Sequence, residues 1–307
     1  MRETKAVLAV VVTHNRLELL KKCLDSLVSQ TYPCDIFVID NASDDGTEKC
    51  LKQMDDDRVR FYRSENNIGG AGGFQYGIRH GVEEGYSYIW VMDDDCIPSR
   101  VALEKLIEAD EVLGGPGSYG FLSSAVLWTD GRECMMNRQK IARDAHKKVE
   151  LIKDGLVSII QATFVSLFLP TETVRCVGLP YKEYFIWGDD IEYTRRIAIR
   201  HKMRSYLAGQ SQVVHAMKNN VGSDISADDL SRMPRYRLAV RNEWFTYHKE
   251  GLYGICFYHF RCLRSFFRIC TKSKDHRLTR LKALFDGMVA GPFFRPKLEY
   301  PAGSKKI

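Results

Sequence analysis

The sequence predicts an α/β protein: a mostly parallel sheet with helices on both faces, followed by a helical region rich in basic and aromatic residues. Three observations lead there. Strand and helix signals alternate through the first hundred residues, acidic groups fall at the ends of predicted strands, and from about residue 234 Arg interleaves with Trp, Tyr and Phe.

Residues 6–12 form a continuous Val-rich run, the pattern of a strand buried on both faces. Leu20, Cys23, Leu24, Leu27 and Val28 then recur at helical spacing. A second strand fits 36–39, and Asn41, Ser43 and Asp44 supply turn and cap chemistry before a short helix carrying Leu51 and Met54. A third strand fits 59–62. A Gly-rich turn, a helix through Val82 and a fourth strand at 88–92 follow. Beyond residue 99 the pattern predicts a helix at 101–113 broken by Gly-Gly-Pro-Gly, and strands at 121–128, 159–169 and 205–215. A short helix fits 191–201, and 138–153 reads as a solvated helix or mobile loop. The expected division is a catalytic domain at 1–225 and a helical region at 226–307.

The 307 residues, 45% hydrophobic and 27% charged, suffice for a sizeable core and exclude collagenous, low-complexity and disordered classes. Nine cysteines occur with no Cys-x-x-Cys and no zinc spacing, and read as scattered thiols of a reducing compartment. The N-terminal apolar run lacks a cleavage site, and no stretch has the uncharged length of a spanning helix. A cytoplasmic protein, peripheral on the inner face of the cell membrane, is expected. The net charge of +6 is uneven: residues 230–307 carry +12 and the remainder −6, an asymmetry that marks a separate partner surface.

Three acidic groups sit at strand ends, the edge where open α/β sheets bind ligands: Asp40, the run Asp93-Asp94-Asp95, and Asp189-Asp190. A lone Asp in such a place is commonly a helix cap. Three in a row repel one another unless a cation lies among them, and an Asp with its i+2 partner offers hard oxygens to Mn2+ or Mg2+. A cation held by so few carboxylates has positions left for substrate phosphates, which suits a nucleotide-diphosphate donor. No GxxxxGK[ST] loop and no GxGxxG after the first strand occur, which argues against P-loop and dinucleotide-binding enzymes.

VVVTHNR, VIDNASDDGT, NNIGGAGGF, VMDDD and FIWGDDIEYTRR occur in this order. Over roughly residues 5–220 the chain resembles inverting glycosyltransferase family 2, and the Gly-rich and WGDDxEY segments are most similar to bacterial galactofuranosyltransferases. The resemblance implies a GT-A fold, with a Rossmann-like sheet, and metal-dependent transfer from UDP-galactofuranose. It places Thr13, Asn15 and Arg16 at the nucleotide, Asp40 at the uracil ring, and Asn67, Gly69, Gly70, Gly72 and Gly73 at the donor. Asp93 and Asp95 become the outer metal ligands, with Asp94 between them at the nucleotide and His215 completing the metal site. Asp189 and Asp190 hold the acceptor, Asp190 being the general base. Trp187 reads either as core or as a sugar-stacking ring, and Glu192 as an acceptor-site residue or a helix cap.

One base and no second nucleophilic carboxylate predicts inversion. The implied acceptor is a lipid-linked cell-surface glycan such as an O-antigen, and the basic, aromatic C-terminal region reads as helical packing or as a surface for anionic headgroups. No nucleic-acid partner is expected. The alternatives are a rhamnosyltransferase or other nucleotide-hexose transferase, and a non-catalytic binding module. Arg241-Asn242, in YRLAVRN, has no assigned role.

Overall fold

The computed structural model describes residues 6–304; the first five residues, on which the leader-peptide reading partly rests, lie outside them. The chain runs β1 (Val7–Thr13), α1 (Leu17–Val28), β2 (Asp35–Asp40), α2 (Thr47–Lys52), β3 (Val59–Arg63), α3 (Gly69–Glu83), β4 (Tyr88–Asp93) and β5 (Cys96–Pro98). Then come α4 (Ala102–Leu113), β6 (Leu122–Trp128), β7 (Lys140–Ile141), α5 (Val149–Ile152), β8 (Leu156–Gln161), β9 (Leu167–Pro170), α6 (Thr171–Val177) and α7 (Asp189–Arg195). The chain finishes with β10 (Ser205–His215), α8 (Met233–His248), α9 (Gly251–Lys272) and α10 (Arg277–Ala290).

One sheet runs β3-β2-β1-β4-β9-β6-β10-β8-β7, with β5 against β10. The β3-β2-β1-β4 half is parallel, as the strand–helix alternation predicts. β9 is antiparallel to both β4 and β6, and β8 is antiparallel to β10, so the sheet as a whole is mixed. β1 is buried on both faces: Val7, Ala9 and Val11 join one apolar cluster with α1 and α4, while Leu8, Val10 and Val12 join another with α3.

Two expectations need correction. The Gly-rich segment is no turn but the start of α3. A Cβ on Gly73 would come 2.7 Å from Val12, and one on Gly77 would come 2.3 Å from Val10, so these glycines let helix and sheet approach closely. The strand expected at 159–169 is two strands, interrupted where Ser166 takes φ 59°.

The helices α8, α9 and α10 share their own apolar cluster around Tyr236, Tyr258, Ile269 and Leu284. Several contacts tie the C-terminal part to the sheet layer. Arg195 of α7 meets Glu250, between α8 and α9, in a buried 2.5 Å ion pair. The last residues return to the sheet layer: Leu179 N–H donates to Glu299 O (2.9 Å), and the Glu299 carboxylate meets Arg79 (2.5 Å) and Lys182 (2.7 Å).

Candidate active site

β4 ends at Asp93, beside β1, whose Val12 is its register partner. β5 then pairs antiparallel with the end of β10, setting Cys96 against His215. This crossing brings three sequence-distant segments to one edge. Thr13 Oγ1 donates to Asp94 Oδ2 at 2.7 Å. Arg16, in the turn after β1, lies 2.7 Å from Asp95 Oδ2 and 3.3 Å from Asp94 Oδ1. His215 Nε2 lies 3.0 Å from Asp95 Oδ1.

The electrostatics follow from burial. Desolvation and then Asp95 push Asp93 up to about 7, and desolvation pushes Asp94 up to about 6 against the opposing Arg16. Burial would raise Asp95 too, but His215 and Arg16 outweigh it and hold Asp95 below its ordinary value. Burial opposes charge on His215, yet its contact with Asp95 carries it up to about 10. The triplet thus draws positive charge from two sides.

Asp95 Oδ1 is buried without a well-aligned hydrogen bond, although His215 Nε2 is 3.0 Å away. Two donors each roughly 2.1 Å from a small divalent ion, at a right angle, lie about 3.0 Å apart. The other ring nitrogen, Nδ1, is 2.7 Å from Asn137 Oδ1, and Asn137 Nδ2 donates to Thr163 Oγ1 at 2.8 Å. Once Nε2 gives up its proton, the Nδ1 proton donated to Asn137 leaves Nε2 as a lone pair, the arrangement of metal-binding imidazoles. The donor types fit a divalent cation. Among the described residues no three such side chains are yet drawn together around one point; Arg16 occupies the other oxygen of Asp95.

Asp189 and Asp190 open α7, and the Asp93 charge is among those felt at Asp189. Burial pushes Asp190 up to about 6, against hydrogen bonds that include Ile191 N–H at 2.7 Å. Burial and then the Asp190 charge hold Asp189 well above the usual carboxylate range. The preceding loop has left-handed backbone at Phe185 (φ 64°), Trp187 (φ 62°) and Gly188 (φ 91°). Asn242 of α8, fully buried, holds it: Nδ2 donates to Tyr184 O (3.0 Å) and Trp187 O (2.8 Å), with a weaker contact to Ile186 O. Arg241 in turn donates to Asn242 Oδ1 at 2.8 Å. The unassigned Arg-Asn pair therefore positions the acidic loop.

The remaining candidates are more structural in this conformation. Trp187 packs edge-on against Tyr236, with ring centres 5.0 Å apart, but stays part-exposed. Glu192 is buried, and its carboxylate is committed to Arg196 at 2.6 Å, not turned to the cleft. Asp40 is fully buried between Ser43 N–H (2.9 Å) and Arg63 (2.8 Å). Asn15 Oδ1 accepts from Asp44 N–H at 2.8 Å, and Asn67 Oδ1 accepts from Gly69 N–H at 2.8 Å at the start of α3. Gly69 has φ 74°, and a Cβ there would strike Phe185 O; Gly70 and Gly72 complete the first turn.

The family described as Glycosyl transferase family 2 matches residues 8–114. Galactofuranosyltransferase GlfT1 of Mycolicibacterium smegmatis is 29% identical over 212 residues, 64% of this chain and 67% of that protein. The match to glycosyltransferase family 2 thus covers the first parallel half of the sheet. The GlfT1 protein of Mycobacterium tuberculosis is likewise 29% identical, over 63% of this chain and 65% of that one, so the match spans about two thirds of each relative's length. The chain also superposes on GalNAc-T7, solved with UDP, GalNAc and Mn2+, at TM-score 0.63 and 15% identity. That fit covers 95% of this chain and 59% of the other. The mannosyltransferase PcManGT of Pyrobaculum calidifontis, solved with GDP-Man and Mn2+, gives TM-score 0.57 and 14% identity over 95% and 88%. At such identities these likenesses establish the GT-A fold alone.

Proposed function

We propose that this glycosyltransferase moves galactofuranose from UDP-galactofuranose to a hydroxyl of a lipid-linked cell-surface glycan, with inversion. The meeting of the Asp93–Asp95 turn, His215 and the Asp189–Asp190 loop at one sheet edge carries the reading. The galactofuranosyl donor is favoured by the 29% identity to galactofuranosyltransferases. A lipid carrier is favoured by a 31% match over 105 residues to an undecaprenyl-phosphate mannosyltransferase of Micrococcus luteus, and the basic C-terminal helices would face an anionic membrane.

Asp93, Asp95 and His215 would hold Mn2+ or Mg2+, and such an ion, when bound, neutralises the departing diphosphate. Asn137 would fix the His215 ring for that task. The chain's own part in the chemistry lies at Asp190. Above about pH 6 its carboxylate is ionised and takes the acceptor hydroxyl's proton as that oxygen bonds the anomeric carbon. The bond from that carbon to the diphosphate breaks, and its electron pair leaves with UDP. Asp189, held well above the usual carboxylate range by burial and its neighbour, helps hold the acceptor beside Asp190. Attack opposite the leaving group inverts the centre.

The test is a panel of nucleotide sugars, scored for nucleotide release on a lipid-linked glycan acceptor. Turnover with UDP-galactofuranose above all others supports the proposal. Preference for dTDP-rhamnose or another nucleotide hexose keeps the chemistry and replaces the sugar. No turnover with any donor overturns it in favour of a binding module.

A further inference from the structure

Helix α9 buries one face, at Tyr258, Cys262 and Ile269, against α8 and α10. Its opposite face is also apolar. Leu252, Tyr253, Cys256, Phe260, Leu263 and Phe267 are all exposed, and at 3.6 residues per turn they lie within an arc of about 100°. Leu252 is 77% and Phe260 63% exposed, far more than solvent-facing positions of an ordinary amphipathic helix warrant. A second exposed line on α10 holds Leu278 (84%), Phe285 and Val289 (67%). Phe266 joins the two, its ring centre 5.7 Å from Phe267 and 6.1 Å from Phe285.

The charge around this face is mainly positive, and its two acids, Asp275 and Asp286, are paired with Arg280 and Lys282. The 22 residues of α9 contain no Asp or Glu. Arg264 borders the stripe, and Lys272, Lys274 and Arg277 crowd the turn into α10; among the described residues none of these four has a carboxylate partner. No described helix is long and apolar enough to cross a membrane.

We infer that this joint face of α9 and α10 seats on a bilayer bearing anionic headgroups, with α9 lying in the interface plane. Phe260, Leu263 and Phe267 enter the acyl boundary while Arg264, Lys272, Lys274 and Arg277 meet the headgroups. A second copy of the chain fits less well, because a two-fold contact sets each cationic rim against its own like. A nucleic acid fits less well because the stripe offers aliphatic Leu and Val where bases require stacking. The inference rests on the reading that the acceptor is membrane-borne, and it names the surface that would bring the cleft to that acceptor.

The test floats the full-length chain with vesicles of phosphatidylcholine alone or mixed with phosphatidylglycerol. Mn2+–UDP binding is measured on the same samples. The wild type should float only with the anionic vesicles, less so as salt rises. Leu263→Ser/Phe267→Ser should lower partition at least about tenfold, and Arg264→Glu/Lys272→Glu by a comparable factor, with Mn2+–UDP affinity and unfolding midpoint unchanged. Leu278→Ser/Val289→Ser tests the α10 line separately. No flotation with Mn2+–UDP binding intact overturns the surface and leaves the transferase standing. Flotation with no nucleotide binding does the reverse. A dimer by light scattering that the stripe variants dissolve, with no flotation, also overturns the bilayer in favour of a second copy.

Discussion

Replacing Asn242 by Leu keeps the branching of the side chain and removes its amide. In the native structure that amide supports a loop with two non-glycine residues in left-handed backbone, Phe185 and Trp187. Each costs about 1–2 kcal/mol, so the loop carries roughly 2–4 kcal/mol of strain. Asn242 is fully buried and reaches three successive stretches of that loop, at Tyr184 O, Ile186 O and Trp187 O. At about 0.5–1.5 kcal/mol per bond the three contacts offset roughly 1.5–4.5 kcal/mol. The two terms nearly cancel, so Asn242→Leu should let the loop relax and carry Asp190 away from the acceptor. Turnover should fall at least about a hundredfold, because a displaced base loses its 10²–10⁴-fold contribution. Mn2+–UDP affinity should hold, since the Asp93–Asp95 turn is built by β4, β5 and β10. The assay is steady-state transfer beside calorimetric nucleotide binding. Wild-type turnover with a wild-type unfolding midpoint would refute the argument that Asn242 positions the loop.

The other expectations are more local. Asp190→Asn should abolish transfer and leave UDP binding nearly intact; wild-type-like turnover removes the base assignment. In the wild type, transfer should rise as pH climbs through about 6, where Asp190 loses its proton, and a rate–pH profile flat across that window contradicts this. Asn137→Leu should weaken Mn2+ binding, measured by electron paramagnetic resonance, about 10–100-fold. The same substitution should shift the His215 nitrogen resonances away from the Nδ1-protonated tautomer, and unchanged spectra would count against the contact. Gly73→Val should destabilise by about 1–3 kcal/mol in urea unfolding, because even a Cβ there comes 2.7 Å from Val12.

Much of the parallel half was legible because period and burial agree there: a run such as 6–12 leaves little choice for a chain that must hide both faces. The acidic triplet stands out in the sequence for an electrostatic reason, since three adjacent carboxylates repel one another. The start of α3 was misread because glycine lowers helix propensity. Yet Gly69, Gly73, Gly77 and Gly81 recur every fourth residue, a helix-face spacing that signals close packing. The break near Ser166 carries no Gly, Pro, Asn or Asp that composition would reveal. Asn242 was visible as part of a motif, but its partners lie 55–58 residues earlier, and only tertiary structure joins them. Asn137 lies beside a stretch that reads as solvated, so its burial against His215 left no local trace. Glu192 shows the reverse failure: an acid beside two candidate acids proves to be the partner of Arg196 four residues on.

The central claim is that the Asp93–Asp95 turn and His215 grip a divalent ion together with a nucleotide diphosphate. Titration calorimetry of UDP with and without Mn2+, on wild type and Asp95→Ala, addresses it most directly. The account predicts tight binding that needs the metal and is lost in the variant. Equal UDP affinity in chelator, or an Asp95→Ala protein that binds Mn2+–UDP as the wild type does, would contradict it.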